Sequence, residues 1–237
     1  MRSRLEMIRD SERRSHTEIY SNESLYSTDS WLKKPIRTIQ DIMAYFDDRD
    51  SLRVLDLGCG VGRNSIFIAE RFSGKECHID CVDILEIAIE KLMVNAKERG
   101  IDDCISGFTD TIEHYPIAHE AYDLIIAVSA LEHVESVDAF LEKLREIAKG
   151  VRDGGIVCLV INSEVTERDK DTFEELEPQF EVNLPTSQLQ SLIDDVFSGW
   201  DTIKRTVSSQ EYDIPRDERT SHLTTNVVTY AGRKRVS

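Results

Sequence analysis

Asp56, Gly58, Gly60, Gly62 and Asp83 are the residues of this 237-residue chain whose types and spacing carry the most chemistry. Asp56 interrupts an apolar run, Val54-Leu55-Asp56-Leu57, which breaks into Gly58-Cys59-Gly60-Val61-Gly62 before Arg63-Asn64 and an amphipathic stretch. Strand, tight turn, helix is the natural reading. Glycine admits positive φ and lets a ligand approach where a Cβ would stand. The helix that follows offers free N–H groups and the positive end of its dipole. Asp83 closes a second apolar run, Cys81-Val82-Asp83, where a carboxylate is placed to accept from ribose hydroxyls. Together these predict a nucleoside-cofactor site.

The kind of cofactor follows from what the turn lacks. A dinucleotide fingerprint ends on a third, later glycine, and Arg63 holds that position; a phosphate loop needs a Gly-Lys-Ser/Thr end, which is absent. Asp56 would repel a pyrophosphate and would suit a ligand carrying positive charge. S-adenosylmethionine, with an ammonium and a sulfonium and no phosphate, fits that demand. The run Leu55-Asp56-Leu57-Gly58-Cys59-Gly60-Val61-Gly62-Arg63-Asn64 resembles motif I of the class I S-adenosylmethionine-dependent methyltransferases. The Gly-Arg-Asn extension and Leu131-Glu132-His133 look most like the tellurite-resistance and thiopurine-type small-molecule enzymes of that superfamily.

The resemblance implies a role for each matching residue. Asp56, Gly58, Cys59, Gly60 and Val61 would surround the methionine end of the cofactor, beside Arg63 and Asn64. Asp83 would hold the ribose diol and Ile84 would pack on the adenine. Asp110 would accept from the adenine amino group, with Thr111 or Ile112 offering a backbone N–H, and Val128 and Ser129 would line the sulfonium side. S-adenosylmethionine would leave as S-adenosylhomocysteine after in-line displacement onto a small, soft or anionic acceptor. An amine or hydroxyl acceptor would need a base, for which His133 and Glu132 are the nearest candidates. No metal site is expected.

Plainer readings stand beside these. Asp56 and Asp110 could bond local backbone, Asp83 could cap the next helix, His133 could be a satisfied structural histidine, and Cys59 reads as a packing residue. Arg63 could form a surface ion pair or reach an anionic substrate. Two rival functions remain open: a non-catalytic protein that holds S-adenosylmethionine or its product, and a nicotinamide-dependent oxidoreductase.

Positioning these residues requires a sheet with covered faces. Apolar runs at 53–57, 77–82, 104–108, 122–128 and 156–161 alternate with helical patterns at 64–72, 85–99 and 137–149. The fold expected is α/β: a doubly wound, mostly parallel, seven-stranded Rossmann-like sheet with an antiparallel edge strand. Strands at 200–207 and 223–231 supply the terminal antiparallel pair, and Ser187-x-x-Gln190 reads as a capping box. Residues 163–184 read as an acidic loop or insertion. Residues 1–34 cannot form a core alone; Tyr20, Tyr26 and Trp31 make this arm either a frayed end or a lid over cofactor and substrate, leaving 35–237 as the binding domain.

Composition narrows the partners. A net charge of −16 disfavours nucleic acid and bulk phosphate. Five cysteines without a C-x-x-C read as reduced, largely buried thiols. No apolar leader or membrane-length run is found, so the expectation is a cytoplasmic monomer or homodimer acting on a small-molecule methyl acceptor, without nucleic-acid or membrane partners.

Overall fold

A computed structural model of the chain describes residues 4–22, 25–26, 32, 34–216 and 219–236. Trp31, one of the arm's aromatics, lies outside the described residues. The strands are β1 (Ser51–Leu57), β2 (Glu76–Asp83), β3 (Ile105–Thr109), β4 (Tyr122–Val128), β5 (Val151–Asp169), β6 (Glu175–Leu176), β7 (Asp201–Arg216) and β8 (Arg219–Arg233). The helices are α1 (Arg4–Asn22), α2 (Arg37–Ile42), α3 (Arg63–Arg71), α4 (Glu86–Glu98), α5 (Val137–Gly150) and α6 (Thr186–Val196).

These strands form one sheet in the order β3-β2-β1-β4-β5-β8-β7, with the two-residue β6 added to β5. β1 to β5 pair in parallel and β8 runs antiparallel to both neighbours. The chain steps outward from β1 to β3 and then returns to the other side of β1 as β4. Strand order therefore reverses between β1 and β4, and the crevice at their carboxyl ends is where such sheets hold ligands. β4 is buried along nearly its whole length, and β1 and β2 over their carboxyl-terminal halves, because both faces are covered there. One face packs Ile39, Phe46, Ile66, Ile79 and Leu92 from α2 and the turn that follows it, α3, α4 and the strands beneath. The other packs Leu55, Ile125, Phe140, Leu144 and Leu189 under α5 and α6.

The doubly wound sheet expected from sequence is present, with four differences. The antiparallel strand is β8, one in from the edge, rather than the edge itself. Residues 163–169 are not loop: they continue β5 and pair with β8 as far as Asp169–Ser221. The stretch 208–222, read as a charged connection, is the body of the β7–β8 hairpin. Its inward positions alternate as Ser221, Leu223 and Thr225, all buried, so the period of two is real but mixes polar with apolar residues. Finally, α6 starts at Thr186 behind Pro185 and makes no side-chain cap, so Ser187-x-x-Gln190 is not a capping box.

α1, which has no core of its own, is folded against the sheet's carboxyl edge. Its Tyr20 is buried with Leu32, Val61, Leu85 and Ala88, and its Arg4 side chain bonds Glu177 at 2.6 Å and the Phe180 carbonyl at 3.0 Å. No helix among the described residues is long and apolar enough to cross a membrane.

Candidate functional site

The turn after β1 is shaped by steric exclusion. Gly58 has φ +73° and a Cβ there would lie 2.3 Å from the Ala130 Cβ; Gly60 has φ +54° and its Cβ would lie 2.9 Å from the Tyr20 hydroxyl. The Ala130 side chain at the β4 exit and the Tyr20 phenol of α1 thus close on two left-handed positions that favour glycine. The turn is pinned to β2: Gly58 and Cys59 N–H groups donate to the Val82 carbonyl at 2.8 and 3.0 Å.

Asp83 joins the same network. Its Oδ2 accepts from the Gly60 N–H at 2.9 Å and its Oδ1 from the Leu85 N–H at 2.9 Å, the latter at the N-cap of α4. Asp83 thus braces the entry to α4 two residues ahead of its N-cap, Leu85, and makes no side-chain cap to the helix. Asp56 is buried, and its carboxylate accepts from the Ser65 hydroxyl. Burial pushes its pKa up to about 7, the Ser65 bond opposing and the Asp83 charge adding. Cys59 is buried, its thiol raised well above the ordinary value by burial and then by Cys81, which suits packing and not nucleophilic attack.

Arg63 opens α3 half-buried, its pKa lowered by burial while Asp56, Tyr20 and Tyr26 pull it back up. Asn64 is buried, and its Oδ1 accepts from the Ile36 N–H at 3.2 Å, tying α3 to the segment before α2. Ile84 stands exposed at the end of β2, and Ile112 approaches Gly58. Asp110 accepts from the Thr111 N–H at 2.8 Å, while its own N–H donates to the Asp83 carbonyl. Val128 is half-buried; Ser129 follows in the left-handed region, φ 49°, exposed, its N–H bonded to the Val160 carbonyl.

Glu132 and His133 diverge. Glu132 is fully buried; its Oε1 accepts from the Asn162 N–H at 3.1 Å and from the Asn162 side-chain amide, its Oε2 has no hydrogen bond among the described residues, and burial raises its pKa. It faces Phe140, Ile161, Val182 and Leu184. His133 is three-quarters buried, stacks on Phe180 with centroids 5.2 Å apart, and places Nδ1 3.0 Å from Glu181 Oε2. Glu181 also faces Arg9 of α1, Nε to Oε1 3.8 Å, while Arg9 donates to Glu113 at 2.5 Å. A carboxylate accepts only, so the Nδ1 must carry the proton in the neutral imidazole and Nε2 holds the lone pair.

Glu181, Arg9 and Glu113 escaped the sequence reading, because they belong to three segments without periodicity that meet only through the fold. Among the described residues no group of three or more histidine, cysteine or carboxylate side chains is arranged to hold a metal.

Residues 54–155 match a family described as a methyltransferase domain. The chain is similar to an enzyme described as ubiquinone biosynthesis O-methyltransferase from Rickettsia canadensis, 33% identical over 128 residues, covering 53% of this chain and 50% of that one. A relative with the same description from Maricaulis maris is 30% identical over 115 residues, covering 48% of this chain and 42% of that one. The chain spans about half the length of the curated relatives it matches. Its fold is similar to TehB from Haemophilus influenzae, with a TM-score of 0.59 at 19% identity over 83% of this chain and 62% of that one. It is also similar to an S-adenosylmethionine-dependent methyltransferase from Methanosarcina mazei, with a TM-score of 0.59 at 14% identity over 86% of this chain and all of that one.

Proposed function

We propose that this chain, which carries a methyltransferase domain at residues 54–155, transfers the methyl group of S-adenosylmethionine to a hydroxyl on a small molecule. The observation that carries the choice of a hydroxyl is the 3.0 Å pairing of His133 Nδ1 with Glu181, which orients the imidazole and favours its uptake of a proton. The relatives' description as O-methyltransferases supports it. The acidic surface and the family likeness pointed to a soft or anionic acceptor; the buried Glu181 carboxylate at His133 opposes an anion there, with Arg9 facing it.

The residues present fit the cofactor: a turn after β1 with three left-handed glycines, and a carboxylate at the end of β2 that holds it. Asp83 holds the ribose, Ile84 and Ile112 flank the adenine beside Asp110 and Thr111, and the Gly58–Val61 backbone lines the methionine end with Asp56 beneath. When bound, S-adenosylmethionine supplies an electrophilic methyl group on a sulfonium, which is left as neutral S-adenosylhomocysteine. His133 Nε2 takes the hydroxyl proton as the oxygen's electron pair forms the new bond to carbon. Glu181 holds the imidazole in that tautomer and favours the imidazolium that results. Glu132 is a structural residue. α1 serves as an arm over the site, excluding water and aligning the acceptor.

The acidic net charge of −16 supports a small-molecule partner over nucleic acid, and we place the protein in the cytoplasm as a monomer or homodimer. A purely binding role leaves the His133–Glu181 pair without a purpose, and Asp56 speaks against a nicotinamide dinucleotide.

Calorimetric titration with S-adenosylmethionine, S-adenosylhomocysteine and NADH, followed by transfer of labelled methyl to a phenol panel, tests this. Both sulfur nucleosides should bind, and His133→Asn should keep that binding while lowering transfer by about 100-fold or more. Binding of NADH alone would sink the proposal.

A further inference from the structure

His133 ends a chain of ionisable side chains drawn from four separate segments. Glu181 Oε2 meets His133 Nδ1 at 3.0 Å, and Glu181 Oε1 faces Arg9 Nε of α1 at 3.8 Å. The other end of that guanidinium is held by Glu113 at 2.5 Å. The Glu181 and Glu113 side chains are 2% and 6% exposed, so water screens little of what passes between them. Glu132, next to His133 in the turn after β4, also feels the ring: burial raises its pKa, and a charge on His133 pulls it back down. The charges along the chain do not balance, since two carboxylates face one guanidinium. A proton on His133 would cancel the remainder, so Glu181 by itself favours the protonated ring. Arg9 acts the other way. Its guanidinium, always charged and one carboxylate removed from the ring, opposes a second positive charge there.

We propose that Arg9 is a positioning residue for the base: by facing Glu181 it weakens that carboxylate's hold on an imidazolium, so that His133 is free of its proton when α1 is seated. Glu113 anchors the guanidinium and, through its own charge, limits how far Arg9 can push. The working base is then assembled from two ends of the chain and is complete only with the amino-terminal helix in place. Proton removal is thereby tied to the covering of the acceptor by α1. After the ring has taken the hydroxyl proton at Nε2, imidazolium and guanidinium share Glu181, which favours release of that proton to solvent before the next turnover. The inference rests on the reading of His133 as the base given above.

The test uses the full chain. The titration of the His133 ring is followed by NMR with S-adenosylhomocysteine present, His133→Asn identifying its signal among the six histidines. The acid limb of kcat/KM is measured by methyl transfer to a phenol. Arg9→Met should move both midpoints to higher pH by about one pH unit, and Arg9→Lys, which keeps the charge, should return most of that shift. Glu113→Gln removes a carboxylate and should move both midpoints to lower pH. Unchanged affinity for S-adenosylhomocysteine reports an intact fold in each variant. A merely loosened α1 would shift Arg9→Met and Glu113→Gln in the same direction, so opposite signs mark the effect of charge. Shifts of the same sign, or none in either variant, would overturn the proposal. A ring signal that moves as expected while the acid limb of kcat/KM stays in place would instead overturn the reading of His133 as the base, and the role given to Arg9 with it.

Discussion

Asp83 holds Gly60 through its carboxylate: Oδ2 accepts from the Gly60 N–H at 2.9 Å, while Oδ1 accepts from the Leu85 N–H at the start of α4. One side chain therefore fixes the turn after β1 and the helix after β2 relative to each other, at the point where the sheet reverses its strand order. The site is braced before any ligand arrives, which is the arrangement that positions reactants at the lowest entropic cost.

Asp83→Ala should weaken S-adenosylmethionine binding by about 10- to 100-fold, the worth of a hydrogen bond to a charged group. It should also lower thermal stability, since two backbone donors lose their acceptor. Calorimetry and a melting curve read the two effects separately. A variant that melts early yet binds normally would reduce Asp83 to a structural brace.

Gly58→Ala should be the more damaging of the two turn substitutions. Its new Cβ would sit 2.3 Å from the Ala130 Cβ, against 2.9 Å from the end of the Tyr20 side chain for Gly60→Ala. The left-handed backbone adds about 1–2 kcal/mol in either case. Pairing Gly58→Ala with Ala130→Gly should restore part of the lost stability and leave the backbone strain. If the double variant is no more stable than Gly58→Ala alone, the clash is not the cause.

The β1 turn and Asp83 were legible in sequence because their signal is local: an apolar run, closely spaced glycines and a carboxylate at a strand end all lie within one βαβ unit. The helix α1 was not, since it draws its stability from docking. Tyr20 packs on Val61 and Leu85, and Arg9 reaches Glu113 and Glu181. No pattern within residues 4–22 announces partners more than a hundred positions away. Glu181 was hidden for the same reason, in an acidic segment without period. The terminal antiparallel pair was legible, but its outer part, 208–222, reads as a connection because its polar residues include a buried one, Ser221. A hydrophobic count reads such a strand as a loop.

Asp56 predicts how stability varies with pH. Burial raises its pKa from an ordinary 3.8 to about 7 in the folded protein. The folded state then holds the proton more tightly than the unfolded chain, so stability falls as pH rises from about 4 to about 7 and the penalty is complete above that. Three pH units correspond to about 4 kcal/mol as an upper bound. Asp56→Asn removes this burden and can still accept from Ser65. Its gain in melting temperature over the wild type should therefore be larger at pH 8 than at pH 5. An equal gain at both values would mean that Asp56 is ionised throughout.

Glu132 supplies the sharpest separation between structure and chemistry. Its Oε1 joins the β4 exit to β5 through two bonds from Asn162, and its Oε2 lies buried without a hydrogen bond among the described residues. Glu132→Gln preserves the Oε1 acceptor and removes a buried charge, so it should keep transfer activity within a few-fold and be neutral or stabilising above pH 7. Glu132→Ala strips Asn162 of its acceptor and opens a void against Phe140 and Leu189, both lining the same space. A loss of about 2–4 kcal/mol is expected, from the unpaired donors and the cavity together. A proton acceptor would behave in the opposite way, because glutamine cannot take up a proton. Activity abolished in Glu132→Gln, in a protein that melts no earlier and binds S-adenosylmethionine normally, would move the base from His133 to Glu132.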